Sequence, residues 1–186
     1  MSIKHRKVIL VEDNLADVEL VRISVRELER PVELVHAGDG QELLNFLKDA
    51  QLNEIALILL DLNMPRVSGI DVLRHMHADE QLKKIPVVMF TTSNSRTDIL
   101  RCYELGAKAF VCKPLDIYEF NNSIRSIVEF WTGINILPTF NWGVLSFESM
   151  ILSFMCVTQN PKFKTQNLKI KTQNLKILRG LNPLNL

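Results

Sequence analysis

Residues Leu57 to Gly69 read LILLDLNMPRVSG, and Ile55 and Ala56 ahead of them extend the opening apolar run to six residues. A run of that length with no polar position fits a strand covered on both faces, as in the centre of a parallel sheet. Asp61 ends it with an ionisable carboxylate, and Met64-Pro65 and Gly69 mark the loop into the next helix. A carboxylate that follows a core strand without a spacer is held by a rigid base at the edge of the sheet.

The pattern on either side has the same character. KVILVED, ending in Glu12 and Asp13, is a short β-branched run closed by acids. Asn14 sits at a helix N-cap position, and Asp17 three residues on suits the positive end of the helix. Leu15, Val18, Val21, Val25 and Leu28 follow at helical spacing, and Pro31 is expected to stop that helix. Val32–Ala37 reads as a second strand, and Gly38–Gly40 as a turn into a helix marked by Leu43, Leu44 and Leu47. Ile70, Leu73 and Met76 give a third helix, and IPVVMFTTS (Ile85–Ser93) a second doubly buried strand. Ile99, Leu100 and Tyr103 belong to a helix ended by Gly106, and KAFVCKP is a short strand stopped by Pro114. Phe120, Ile124, Ile127, Val128 and Trp131 form the last helical stripe. Five strands alternating with five helices predict a doubly wound α/β domain, with ligands bound at the carboxyl ends of its strands.

The periodic pattern stops after Trp131, which divides the 186 residues into a domain at 1–132 and an extension at 133–186. The first carries 16 Lys and Arg against 20 Asp and Glu; the second carries six against Glu148 alone. The extension is thus basic, contains KTQNLKI twice in tandem, and reads as a poorly ordered tail. Cys102, Cys112 and Cys156 have no CxxC spacing, as expected of reduced thiols in a cytoplasmic protein. No apolar stretch is long enough for a membrane span.

Glu12, Asp13, Asp61, Thr91, Thr92 and Lys113 all fall at C-terminal strand ends. Three carboxylates on one patch repel each other unless a cation intervenes. Mg²⁺ suits such a set, since it takes oxygen ligands and keeps waters that phosphate oxygens can replace. A carboxylate is also a competent nucleophile at phosphorus, with a lysine and a hydroxyl to stabilise the transferring group. Asp61 is the natural nucleophile.

VILVEDN, LILLDLNMPRVSG, IPVVMFTTS and AFVCKP, in that order and at these separations, resemble the signature segments of response-regulator receiver domains. The resemblance covers residue 5 to about residue 131. It implies a flavodoxin-like (βα)5 three-layer sandwich with a parallel sheet of order 2-1-3-4-5. It implies Asp61 as phosphoacceptor, and Mg²⁺ held by Glu12, Asp13, Asp61 and the backbone carbonyl of Asn63. Lys113 becomes the phosphate-binding lysine, Thr91 the switch hydroxyl and Phe110 the switch aromatic, with a cis peptide between Lys113 and Pro114. DLNMPR, FTTSN and IVEFWTGINILP further resemble the small single-domain regulators that partner phytochrome-type histidine kinases. A histidine kinase is then the expected phosphoryl donor. The output is by protein contact, with a homodimer through helix four, strand five and helix five using Tyr103, Phe120, Ile127 and Trp131. No DNA-binding module is expected after residue 132.

Two other functions compete with this reading. A docking receiver that works without phosphorylation would not need the full set of residues present here. A small-molecule phosphatase or phosphotransferase places an acid two residues after its nucleophile, where this chain has Asn63. The sequence therefore predicts a phosphoacceptor signalling protein rather than an enzyme. His5, His36, His75 and His77 show no ligand spacing and read as structural or surface residues.

Overall fold

The computed structural model describes residues 6–135; His5, Cys156, the KTQNLKI repeat and the rest of the extension after residue 135 lie outside the described residues. Ten elements alternate along the chain. They are β1 (Lys7–Val11), α1 (Leu15–Arg26), β2 (Glu33–Ala37), α2 (Gly40–Asp49), β3 (Ile55–Leu60), α3 (Gly69–Ala78), β4 (Val87–Thr91), α4 (Arg96–Glu104), β5 (Ala109–Cys112) and α5 (Ile117–Glu129). The strands are all parallel, in the order β2-β1-β3-β4-β5 expected of the doubly wound sheet.

All six residues of β3 are buried, as its unbroken apolar run requires. Ile58 and Leu60 point into one core layer, with Leu43 and Leu47 of α2, Leu73 and Met76 of α3 and Cys102 of α4. Leu57 and Leu59 point into the other, with Val18, Val21 and Val25 of α1 and Phe120, Ile124 and Val128 of α5. The two layers clothe both faces of the sheet, so alternate residues of one strand serve two cores. Phe120 anchors α5 by an edge-to-face contact with Phe90 of β4, 5.1 Å between ring centres.

The helix starts follow their caps. Asn14 accepts from the Ala16 N–H, Asp39 from Glu42, Ser68 from Asp71, Ser95 from Asp98 and Asp116 from Glu119. The helix ends are less simple. α1 stops at Arg26, five residues before Pro31, and Leu28 packs from the following turn. α4 ends through Gly106, whose φ of +92° lets the Ala107 N–H reach back to the Cys102 carbonyl. α5 widens into a π turn at Phe130–Ile134, closed by Asn135 N–H donating to Phe130 O.

Periodicity identified which residues are helical better than how deeply each is buried. Leu15, Leu100 and Tyr103 are exposed, and α4 buries Cys102 instead. Phe120 is core and is not available to a partner. Burial raises the Cys102 thiol to about 11, so it stays protonated and inert.

Gly69 has a different role from the expected one of easing a turn. It is the first residue of α3, and a Cβ there would lie 2.2 Å from the Asp61 carbonyl oxygen and 2.9 Å from Leu62 Cα. Its N–H donates to the Leu62 carbonyl at 3.0 Å. The missing side chain lets α3 start against the backbone that carries Asp61.

Candidate functional site

The order of the strands reverses between β1 and β3, and that switch point is where an open parallel sheet forms a crevice for ligands. Val11 and Leu60 are register partners, and the Asp61 N–H donates to the Val11 carbonyl at 3.0 Å. Glu12 and Asp61 are thus the first residues beyond two adjacent strands. On the far side of β1, the Glu12 N–H donates to Ala37 O at 3.1 Å. His36 Nε2 donates to the Glu12 carbonyl at 2.9 Å, which makes His36 a support for the site's backbone.

Carboxylate oxygens of Glu12, Asp13 and Asp61 all lie within 4.8 Å of one another. Glu12 and Asp61 are buried, at 2% and 6% exposure, while Asp13 is open to solvent. Asp61 Oδ1 accepts from the Leu62 N–H at 2.6 Å, which fixes the carboxylate on its loop. The donor set is all oxygen, compact and open on the Asp13 side. It fits a hard divalent cation that keeps some of its waters.

Lys113 follows β5 and reaches into this cluster. Its N–H donates to Thr91 O at 2.8 Å, continuing the β4–β5 ladder. Its Nζ lies 2.5 Å from Glu12 Oε2, 2.9 Å from Asp17 Oδ2 and 3.3 Å from Asp61 Oδ2. Burial disfavours the ammonium, but hydrogen bonds to Glu12 and Asp17 and the charges of Glu12 and Asp61 outweigh it and hold its pKa above the ordinary lysine range. The Glu12 carboxyl is moved upward, because burial outweighs the hydrogen bond and charge of Lys113, and Asp61 adds repulsion.

The structure thus brings together Glu12, Asp13, Asp61 and Lys113 from strand ends far apart in sequence. Asn63 sits exposed on the loop two residues past Asp61. Thr91 is buried at the end of β4 while Thr92 is exposed, and the Thr91 hydroxyl accepts from the Ser93 N–H at 3.3 Å. Phe110 pairs in register with Met89, and Thr91 with Cys112, which puts Phe110 and Thr91 on the same face of the sheet. His75 and His77 are exposed on α3, away from this edge.

One expectation is corrected. The Lys113–Pro114 peptide is trans, and no cis bond occurs among the described residues. Trans is the ordinary preference of an X–Pro bond by about 0.5–1 kcal/mol. With that bond trans, the Lys113 side chain meets Glu12, Asp17 and Asp61.

Asp17 was missed as a member of the site. The sequence shows it only as an acid in the first turn of α1, and its partner Lys113 lies 96 residues away.

Residues 8–125 match the response regulator receiver domain family. The chain belongs to that family. It is 33% identical to the response regulator Rcp1 of Synechocystis over 135 residues, which covers 70% of this chain and 92% of Rcp1. Among solved structures it is similar to the phosphorylated cyanobacterial phytochrome response regulator RcpA, at 36% identity and a TM-score of 0.68, covering 72% of this chain and 99% of that one. The Mn²⁺-bound form of Rcp1 matches at 33% identity and a TM-score of 0.66, again covering 72% and 99%. This receiver is a phosphorylatable response regulator of a signalling phosphorelay. Among its described residues no helix is long and apolar enough to cross a membrane.

Proposed function

We propose that Asp61 is the phosphoacceptor of this receiver and takes its phosphoryl group from a histidine kinase. An Asp61 carboxylate oxygen attacks phosphorus and the P–N bond of the kinase phosphohistidine breaks. The histidine nitrogen keeps the bonding pair and takes up a proton. The observation that carries the reading is the position of the Lys113 ammonium, 3.3 Å from Asp61 Oδ2 and next to the converging Glu12 and Asp13 oxygens. Negative charge spreads over the oxygens of the transferring group, so a fixed cation beside the nucleophile stabilises the transition state.

Glu12, Asp13, Asp61 and the Asn63 carbonyl would hold Mg²⁺. When bound it neutralises charge on the acids and on the phosphoryl oxygens. Asp61 is oriented by the Leu62 N–H, and Lys113 is kept protonated by its acidic neighbours. Thr91 then turns its hydroxyl toward the phosphoryl group, and Phe110 follows into the space beside it. The altered face of α4, β5 and α5 is the output, read by protein contact and by a second copy of the chain. Exposed Leu100, Tyr103 and Tyr118 support that surface. The phytochrome link of RcpA supports a phytochrome-type kinase as the donor; the exchange takes place in the cytoplasm on this reading.

Incubation with acetyl phosphate and Mg²⁺ tests the reading. The native chain is expected to gain one phosphate and Asp61→Asn none. Equal incorporation in both would place the acceptor elsewhere, and no incorporation in either would end the reading.

A further inference from the structure

The third residue of a helix commonly turns its acid back onto the N-cap N–H. In α1 that N–H belongs to Asn14 and donates to Glu12 Oε1 at 3.1 Å. Asp17, released from that duty, places Oδ2 2.9 Å from Lys113 Nζ. The pair is well sheltered, with side-chain exposures of 20% for Asp17 and 5% for Lys113. An ammonium has three protons to give. Lys113 faces three carboxylates, and its contact with Asp61 is the longest of the three. Asp17 is not one of the acids whose oxygens converge with those of Asp61, so its charge acts on the lysine.

We propose that Asp17 is a positioning residue that competes with the incoming phosphoryl group for Lys113 and so restrains phosphorylation. The proposal rests on Asp61 as the phosphoacceptor. To serve the phosphoryl oxygens, the ammonium must loosen its hold on acids it already neutralises. Asp17 opposes that shift through its hydrogen bond, and its negative charge repels the entering anion. Both effects have the same sign. Asp17→Asn keeps an oxygen acceptor of the same shape but removes the charge. Asp17→Glu keeps the charge.

The test is the rate of phosphorylation of the full chain by acetyl phosphate at saturating Mg²⁺, followed by ³¹P NMR. Here the Asp61–phosphorus bond forms, the phosphorus–oxygen bond to the acetyl group breaks, and acetate leaves with the electron pair. One unit charge removed near the reacting group predicts a gain of about three- to tenfold for Asp17→Asn, with Asp17→Glu close to native. Affinity for beryllium trifluoride, read by ¹⁹F NMR, rises in parallel for Asp17→Asn. An Asp17→Asn rate at or below native overturns the proposal. So does an equal change in the Asn and Glu variants, which would show a role in the helix rather than one of charge. A native chain that gains no phosphate refutes the assignment of Asp61 and the proposal with it.

Discussion

Lys113 Nζ lies 2.5 Å from Glu12 and 3.3 Å from Asp61. The lysine is anchored to the end of β1 and leans toward Asp61, the proposed phosphoacceptor, across the switch point. Replacing it with Met leaves Glu12, Asp17 and Asp61 facing one another without a cation. Breaking a buried pair in this way costs about 3–5 kcal/mol. Lys113→Met is therefore expected to lower the urea midpoint strongly in EDTA, and Mg²⁺ is expected to restore more stability to the variant than it adds to the native chain. A variant as stable as native in EDTA would show that the lysine does not hold the cluster together.

The same lysine sets a pH dependence. Its folded pKa is raised, because its acidic partners outweigh its burial. The native state therefore holds this proton more tightly than the unfolded chain. The stabilisation is complete below the ordinary value of 10.5 and is lost as the pH climbs above it toward the folded pKa. The stability gap between native and Lys113→Met should be constant from about pH 7 to pH 10 and shrink beyond that. Urea melts across the range measure it. A gap already closed at pH 9 would mean a lowered lysine pKa.

Gly69 makes a sharper demand on the loop. A Cβ at 2.2 Å from the Asp61 carbonyl oxygen meets the Asp61–Leu62 backbone, with no flexible side chain to displace. Gly69→Ala forces β3 and α3 apart where Asp61 is attached. The expected cost is about 1–3 kcal/mol, with phosphorylation falling further than stability because Asp61 itself moves. A variant with native melting and native acetyl phosphate kinetics would refute this.

A second ion pair lies beside that loop. Asp39 is fully buried, caps α2 through the Glu42 N–H and pairs with Arg66. Arg66 sits at a φ of +66°, a conformation that L residues adopt at a cost. Arg66→Gly relieves that strain but leaves the Asp39 charge buried without its cation. Because Asp39 is fully buried, loss of its cation outweighs the relief of strain, and the variant is expected to lose about 1–3 kcal/mol in a urea melt. A gain in stability would show that the backbone strain is the larger effect.

Much of this architecture was legible because the strands are extreme. The six apolar residues of β3 fit a strand covered on both faces, and the acid directly after them marks the edge of the sheet. Glu12, Asp13, Asp61 and Lys113 were legible for the same reason, since each follows a strand. Asp17 was not, because an acid at a helix start is already explained by the dipole and the chain gives no sign of a partner 96 residues away. Leu15, Tyr103 and Phe120 show a second limit. Spacing assigns a residue to a helix, but whether it is buried depends on how the neighbouring helix crosses the sheet. The start of α3 shows a third: the contact that needs glycine at Gly69 is with backbone, which no side-chain pattern records.

Thr91 and Phe110 give the last prediction. Thr91 is fully buried, and its hydroxyl oxygen accepts a long 3.3 Å bond from the Ser93 N–H, which leaves the O–H proton to be donated to a phosphoryl oxygen. Phe110 is half-buried against the core that contains Met89, its register partner, on the sheet face that carries Thr91. A hydroxyl drawn toward a phosphoryl group on Asp61 vacates space that the ring can enter. Thr91→Val keeps the side-chain shape and removes the hydroxyl. Phosphate is expected to reach Asp61 more slowly in this variant, and the Phe110 ring to keep its resting position. Fluorine-labelled phenylalanine read by ¹⁹F NMR, with and without beryllium trifluoride, reports the ring directly. The native spectrum should shift for Phe110 and the Thr91→Val spectrum should not. An equal shift in both would show that the ring responds to the phosphoryl group through some path other than Thr91.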